Sequence, residues 1–377
     1  MILSQMFGTS LADTIYQRFY KPHLFRQDPE TVHDKHLHSG TILGKSAVTR
    51  GLTSFAFSYS NPALQCEFDG VKYLNPVGLS AGFDKDANLM SIMPSVGFGF
   101  MDVGSVTYKP YEGNPQPRLY RLPKSEALVV YYGLKNEGSE VIIERVAKFQ
   151  EKDFHVNISI AKTNCKETST LKGGIEDYYQ CYKLFADRKV GSAYEINISC
   201  PNTFGGEPFT TPDKLDPLLA KLRTVKTDKP LYIKMPINLD WGDFDALLQV
   251  AVKYKVNGVV IGNLTKVRDA RLIKDEIPEN IKGGISGKPT QELSDKLIYD
   301  TYAKYGKDLT IVGVGGIFSA EDAYRKIRHG ASLVQLITGM IYQGPQLIGK
   351  INKGLVGLMQ EDGYATISEA VGADHRH

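Results

Sequence analysis

The chain has 377 residues, 42% of them hydrophobic and 23% charged, which is the profile of an ordinary globular protein and excludes a disordered or fibrous one. Its 45 Lys and Arg against 42 Asp and Glu leave a net charge of +3, too small and too evenly spread to imply a nucleic-acid surface. Cys66, Cys165, Cys181 and Cys200 show neither Cys-x-x-Cys spacing nor the density of a disulfide scaffold, which points to a reducing compartment and argues against zinc.

Residues 1–60 read as a small helical extension: Leu11, Ile15 and Phe19 form an apolar stripe, followed by a basic, His-rich stretch. No apolar run approaches the roughly 20 residues that cross a bilayer, and the opening lacks a basic n-region and cleavage site. The expectation is a cytoplasmic protein, with the stripe either packed on the barrel or dipped into the inner face of a membrane.

From about residue 75 short apolar, β-branched runs alternate with segments of helical periodicity, the pattern of repeated strand–helix units. Eight strands are predicted, beginning at Val77, Gly99, His155, Tyr194, Leu231, Gly258, Thr310 and Ser332. Helices are predicted over Ser139–Lys152, Ile175–Arg188, Pro212–Val225, Trp241–Tyr254, Thr290–Tyr305, Ser319–His329 and Pro345–Met359, with a short link after the first strand. Ser319 with Asp322 three residues on resembles a capping box. Eight such units favour a closed (β/α)8 TIM barrel over residues 61–377, although doubly wound sheets share the local pattern.

Three features carry chemistry. Gly-rich turns close the seventh and eighth strands, and in barrels these turns often hold a phosphate on backbone N–H groups; Gly315, Gly316, Thr338 and Gly339 are placed there. Tight turns alone would also use glycine. Where the fourth strand ends, INISCPNT gathers Asn197, Ser199, Cys200, Asn202 and Thr203: amides suit an imide or amide edge, and a thiol can serve as base. A lone Cys at a strand end also fits a small buried hydrophobe. Lys85 in AGFDKD and Lys234 inside the apolar strand YIKMP both fall near the rim, where Lys234 suits charge on a reduced flavin and Lys85 a carboxylate. For Lys85 a solvated loop charge is the plain alternative.

The motifs FRQDPETVH, NPVGLSAGFDKD, GFGFMDVGSVT, GNPQPRLYRL, NISCPNT, GGISGKP, IVGVGGI and GASLVQLITG, in that order along nearly the whole chain, resemble the dihydroorotate dehydrogenases. The extended N-terminus is similar to the quinone-linked, class-two branch. The resemblance implies FMN contacted by Ala81, Gly82, Lys85, Ser105, Ser159, Asn197, Lys234, Gly262, Gly287, Gly315, Gly316, Ile337, Thr338 and Gly339. It implies dihydroorotate held by Lys85, Asn197, Asn202 and Asn263, with Cys200 at the base position. It places His33 and Arg121 along a quinone tunnel.

Several positions depart from the family. Cys200 with Gly205-Gly206 resembles the soluble class-one enzymes, where class two carries serine. Val130 stands where the family usually has an Asn, Leu264 replaces a hydroxyl, and Ser159 and Gly262 replace polar flavin neighbours. One lost hydrogen bond to a buried ligand group costs about 1–3 kcal/mol, so these changes keep two other readings open. One is a related FMN oxidoreductase acting on a different cyclic amide or ring C=C bond; the other is a non-catalytic flavin-binding barrel.

Overall fold

The computed structural model describes residues 11–149, 151, 153–206 and 208–376. All eight predicted strands form, at Val77–Leu79, Phe100–Val106, His155–Ile160, Tyr194–Asn197, Leu231–Met235, Gly258–Ile261, Thr310–Val314 and Leu333–Leu336. Each pairs in parallel with its neighbour in the chain, and the eighth pairs with the first through Val334↔Val77 and Leu336↔Leu79, closing the barrel. Nearly every residue in these strands is buried, since helices cover the outside and side chains fill the inside.

The helices follow their predicted registers with shifts of a few residues. Trp241–Lys253 shows why: Asp240 caps it by accepting from the Asp243 N–H at 3.0 Å, and Phe244, Leu247, Leu248 and Ala251, spaced for one face, are each fully buried. Burial of each of its larger apolar side chains contributes about 1.5–3 kcal/mol. The helix predicted over Ser139–Lys152 ends earlier, at Ala147, and Lys152 itself lies outside the described residues. The Ser319 cap forms, with the Asp322 N–H donating to Ser319 Oγ at 3.2 Å. The Asp322 carboxylate, however, accepts from the Phe318 N–H at 2.9 Å and holds Lys288 at 3.0 Å, so it braces the turn after the seventh strand.

Two sheets were not predicted. A hairpin, Cys66–Phe68 with Val71–Tyr73, turns at Asp69-Gly70, both with positive φ as a type I′ turn demands. At the opposite end, Leu119–Leu122, Ala127–Val130 and Gly284–Gly287 build a three-stranded antiparallel sheet over the barrel mouth.

The chain before the barrel is helical at Pro29–Gly44 and Ala47–Phe57, the first starting with Pro29 behind an Asp28 cap that accepts from Thr31 at 2.8 Å. The Pro29–Gly44 helix lies against the mouth sheet, fixed by Glu30, whose carboxylate meets Arg118 at 2.5 Å and Gln116 at 3.2 Å. Leu11, Ile15 and Phe19 are 63%, 49% and 70% exposed. Residues 1–10 of the predicted extension lie outside the described residues.

Candidate active site

Two adjoining cavities open at the carboxyl ends of the strands and share Ala81, Lys234, Asn263, Leu264, Ser286, Ile337 and Thr338. The larger holds about 930 Å³, open space at its mouth included. The smaller, about 520 Å³, is walled by Gly262, Gly287, Gly315, Gly316 and Gly339.

The smaller cavity is a cradle of bare backbone. Gly287, Gly315 and Gly316 have φ of +93°, +114° and +67°, a region L side chains avoid, so the sequence places glycine where the turns must fold in this sense. Thr338 and Ser286 share a hydroxyl hydrogen bond of 2.8 Å at its edge. No Asp or Glu lines either cavity among the described residues, while Lys85, Lys135 and Lys234 do. The walls therefore favour anions.

The larger cavity brings together His33, Ala81, Gly82, Lys85, Ser105, Asn197, Cys200, Asn202, Lys234 and Asn263 from the predicted set. Strand alternation and register explain the inner group: Asn197 lies beside Lys234 across the fourth and fifth strands, and its amide donates to Ser105 Oγ at 2.8 Å. Asn202 donates to the Val130 carbonyl at 2.8 Å, and Asn263 to Ser199 Oγ at 2.7 Å. Val130 and Leu264 line the same cavity, so the apolar replacements face the site.

Lys85 stands at the outer wall, its ammonium 4.0 Å from the Tyr132 ring centroid and 3.4 Å from His33 Nε2. Burial lowers it to about 8, with Asp86 pulling the other way. His33 is held neutral: burial first, then the Lys85 charge, pushes it well below the usual histidine range, and its ring edge packs on Phe83 at 4.9 Å. Arg121 lines neither cavity. Its guanidinium lies over Phe25 at 4.7 Å and donates to the Gln27 carbonyl at 2.7 Å, while its buried Nε has no partner. Ser159 is also outside both walls, one layer below, donating to Glu195 Oε1 at 2.6 Å.

Cys200 is half-buried on a loop pinned from below. Lys162, two residues past the third strand, donates to the Phe204 carbonyl at 3.0 Å; Asn164 accepts from the Phe204 N–H at 2.6 Å; Asn114 donates to the Asn202 carbonyl at 3.0 Å. Burial lowers the Lys162 ammonium, and Cys200, Cys165 and Asp177 favour its charge in that order. Lys162, Glu195 and the Asn114–Asn164 pair escape a sequence reading. Only Lys162, a lysine two residues past an apolar strand, carries a signal that would have found it.

The dihydroorotate dehydrogenase family model matches residues 63–359. The dihydroorotate dehydrogenase (quinone) of Acaryochloris marina is 35% identical over 376 residues, covering 95% of this chain and 99% of that protein. That of Haloarcula marismortui is 36% identical over 354 residues, covering 94% and 98%. The crystal structure of DHODH from Eimeria tenella in complex with ferulenol superposes with a TM-score of 0.78 at 26% identity, covering 93% of this chain and 96% of that one. With the closed barrel, the paired cavities and matches over nearly its whole length, the chain belongs to the dihydroorotate dehydrogenase family, on its quinone-linked, class-two branch.

Proposed function

We propose that this protein oxidises dihydroorotate to orotate in pyrimidine biosynthesis, with FMN as its bound cofactor and a quinone as electron acceptor. The observation that carries this reading is the single cavity that gathers Lys85, Asn197, Cys200, Asn202 and Asn263 and continues into the glycine cradle.

The residues present fit FMN. An acid-free, glycine-walled compartment accepts a phosphate dianion, for which Gly315, Gly316, Thr338 and Gly339 are the holders. Ala81, Gly82, Ser105, Asn197, Lys234, Gly262, Gly287 and Ile337 would surround the rest of the cofactor, with Lys85 at its edge and Ser159 acting through Ser105 at 2.9 Å. When bound, FMN supplies the two-electron acceptor that such an oxidation requires.

The chain's own groups do the remaining work. Lys85 pairs with the substrate carboxylate, and the amides of Asn197, Asn202 and Asn263 orient the ring. The Cys200 sulfur takes the proton from the ring carbon next to the one that is oxidised, with Lys162 supplying positive charge nearby. Val130 and Leu264 present apolar wall instead of two hydrogen-bonding groups, which favours, as a second reading, a different cyclic amide or ring C=C substrate.

Residues 1–60 serve in this proposal as the quinone-side element. His33 sits on the cavity wall, and the unpartnered Arg121 Nε and the exposed Leu11, Ile15 and Phe19 suit a quinone path reached from a membrane's inner face. Among the described residues no helix is long and apolar enough to cross a membrane, so the contact proposed is peripheral.

Anaerobic mixing with dihydroorotate tests the proposal: the flavin absorbance bleaches and is restored on adding a quinone. A yellow protein that fails to bleach with dihydroorotate overturns it in favour of the second reading or of a binding role. The lowered Lys85 ammonium adds a pH signature. Its charge, and with it the pairing to the substrate carboxylate, is complete below about 8 and lost above, so KM for dihydroorotate is expected to stay flat to that point and then rise about tenfold per pH unit. Steady-state KM from pH 6 to 9.5 checks this.

A further inference from the structure

Below Lys234 the barrel interior holds a carboxylate that the proposed reaction does not use. Glu195 lies on the fourth strand two residues before Asn197, so both side chains point inward, and it is 2% exposed. Its Oε1 accepts from Ser159 Oγ at 2.6 Å; its Oε2 has no hydrogen-bond partner and stands 3.9 Å from Lys234 Nζ. Ser159 Oγ meets Ser105 Oγ at 2.9 Å, and Ser105 takes the Asn197 amide at 2.8 Å. An unbroken ladder thus runs from Glu195 up to the wall of the larger cavity. The other Lys234 contact is Ser80 Oγ at 3.2 Å, so Glu195 is the nearest counter-ion to an ammonium that lines both cavities.

We infer that Glu195 is a positioning residue that sets the reduction potential of the flavin through Lys234 and Ser159. The inference rests on the FMN reading above. A reduced flavin ring carries more negative charge than an oxidised one, so an unopposed ammonium beside it favours reduction. A carboxylate 3.9 Å from that ammonium offsets the effect, in an interior where charges are weakly screened. Ser159 moderates the carboxylate, since a charge-assisted hydrogen bond spreads part of its charge onto the donor. Ser159, absent from both cavity walls, is turned to Glu195 instead.

Potentiometric titration of the FMN-loaded protein against reference dyes tests this. In Glu195→Gln the reduced-to-oxidised ratio at a fixed potential is expected to rise about tenfold, a shift of +29.6 mV for a two-electron couple. In Ser159→Ala, which strips the carboxylate of its donor, the shift is expected in the opposite direction and smaller. An unchanged potential in a Glu195→Gln protein that keeps its flavin overturns the inference. Should that variant fail to fold, an unshifted Ser159→Ala potential overturns it instead. A parent protein that neither carries nor takes up FMN overturns the cofactor reading itself, an outcome visible before any variant is made.

Discussion

Cys200→Ala is expected to lower turnover with dihydroorotate by about 10²–10⁴-fold, the usual contribution of a positioned general base, while leaving bound flavin in place. Retention follows from geometry: Cys200 lines the larger cavity only, and the glycine cradle that would take the phosphate is built from other elements. Anaerobic single-turnover bleaching reads the proton-removal step apart from quinone chemistry, and an unchanged rate would remove Cys200 from its role. Lys162→Met provides the graded counterpart. A cation that favours negative charge on sulfur is removed, so the thiolate becomes harder to form. The rising limb of the pH–rate profile therefore moves to higher pH, and because Lys162 also pins the Cys200 loop at Phe204, the rate above the limb falls as well.

Glu30→Ala should separate the two half-reactions. The Glu30–Arg118 pair is nearly sealed from water, with side chains 7% and 11% exposed, and its atoms approach to 2.5 Å. Removing one partner of a buried pair costs about 3–5 kcal/mol because the other charge is left uncompensated. That cost falls on the seat of the Pro29–Gly44 helix, which carries His33 to the cavity wall. Expected are early proteolytic cleavage before residue 60 and a quinone-dependent rate that falls far more than the rate of flavin bleaching by dihydroorotate. Equal losses in both half-reactions would show that the helix also shapes the substrate end. Glu30→Gln, which keeps a hydrogen-bond acceptor for Arg118, is expected to lie between.

The barrel was legible in the sequence because its strands are covered on both sides. Runs such as GVVI, and LYIKM apart from Lys234, need no partner to be read, since burial on both sides dictates apolar residues along the strand. The mouth sheet was not legible for the converse reason. Gly284–Gly287 has little side chain to show a pattern, and what makes it a strand is pairing with Ala127–Val130, far away in the chain. The hairpin at Asp69-Gly70 did carry a local signal, an Asp-Gly turn between β-formers, in the stretch between the helical extension and the first predicted barrel strand.

The site divides in the same way. Glycines after the seventh and eighth strands and the Asn197–Asn202 cluster are local motifs, and each falls on a cavity wall. Glu195 and Ser159 act through partners on other strands, and Lys162 through a loop carbonyl far along the chain. Register sets Ser159 beside Glu195 and Asn197 beside Lys234, and register becomes known only when the barrel closes. Arg121 meets the extension, over the Phe25 ring and at the Gln27 carbonyl, a contact that only the folded extension brings to it.

The pairing of the first strand with the eighth also orders events during synthesis. The glycines named for the phosphate, Gly315, Gly316 and Gly339, come late in the chain, so a chain emerging from the ribosome exposes Lys85, Asn197, Cys200 and Asn202 well before that site exists. Closing so long a loop is slow, because its entropy must be lost before the final contacts form. A ligand that binds only the closed ring then stabilises it by mass action. On the FMN reading, a shortage of cofactor during growth is therefore expected to lower the share of this protein that reaches its native state.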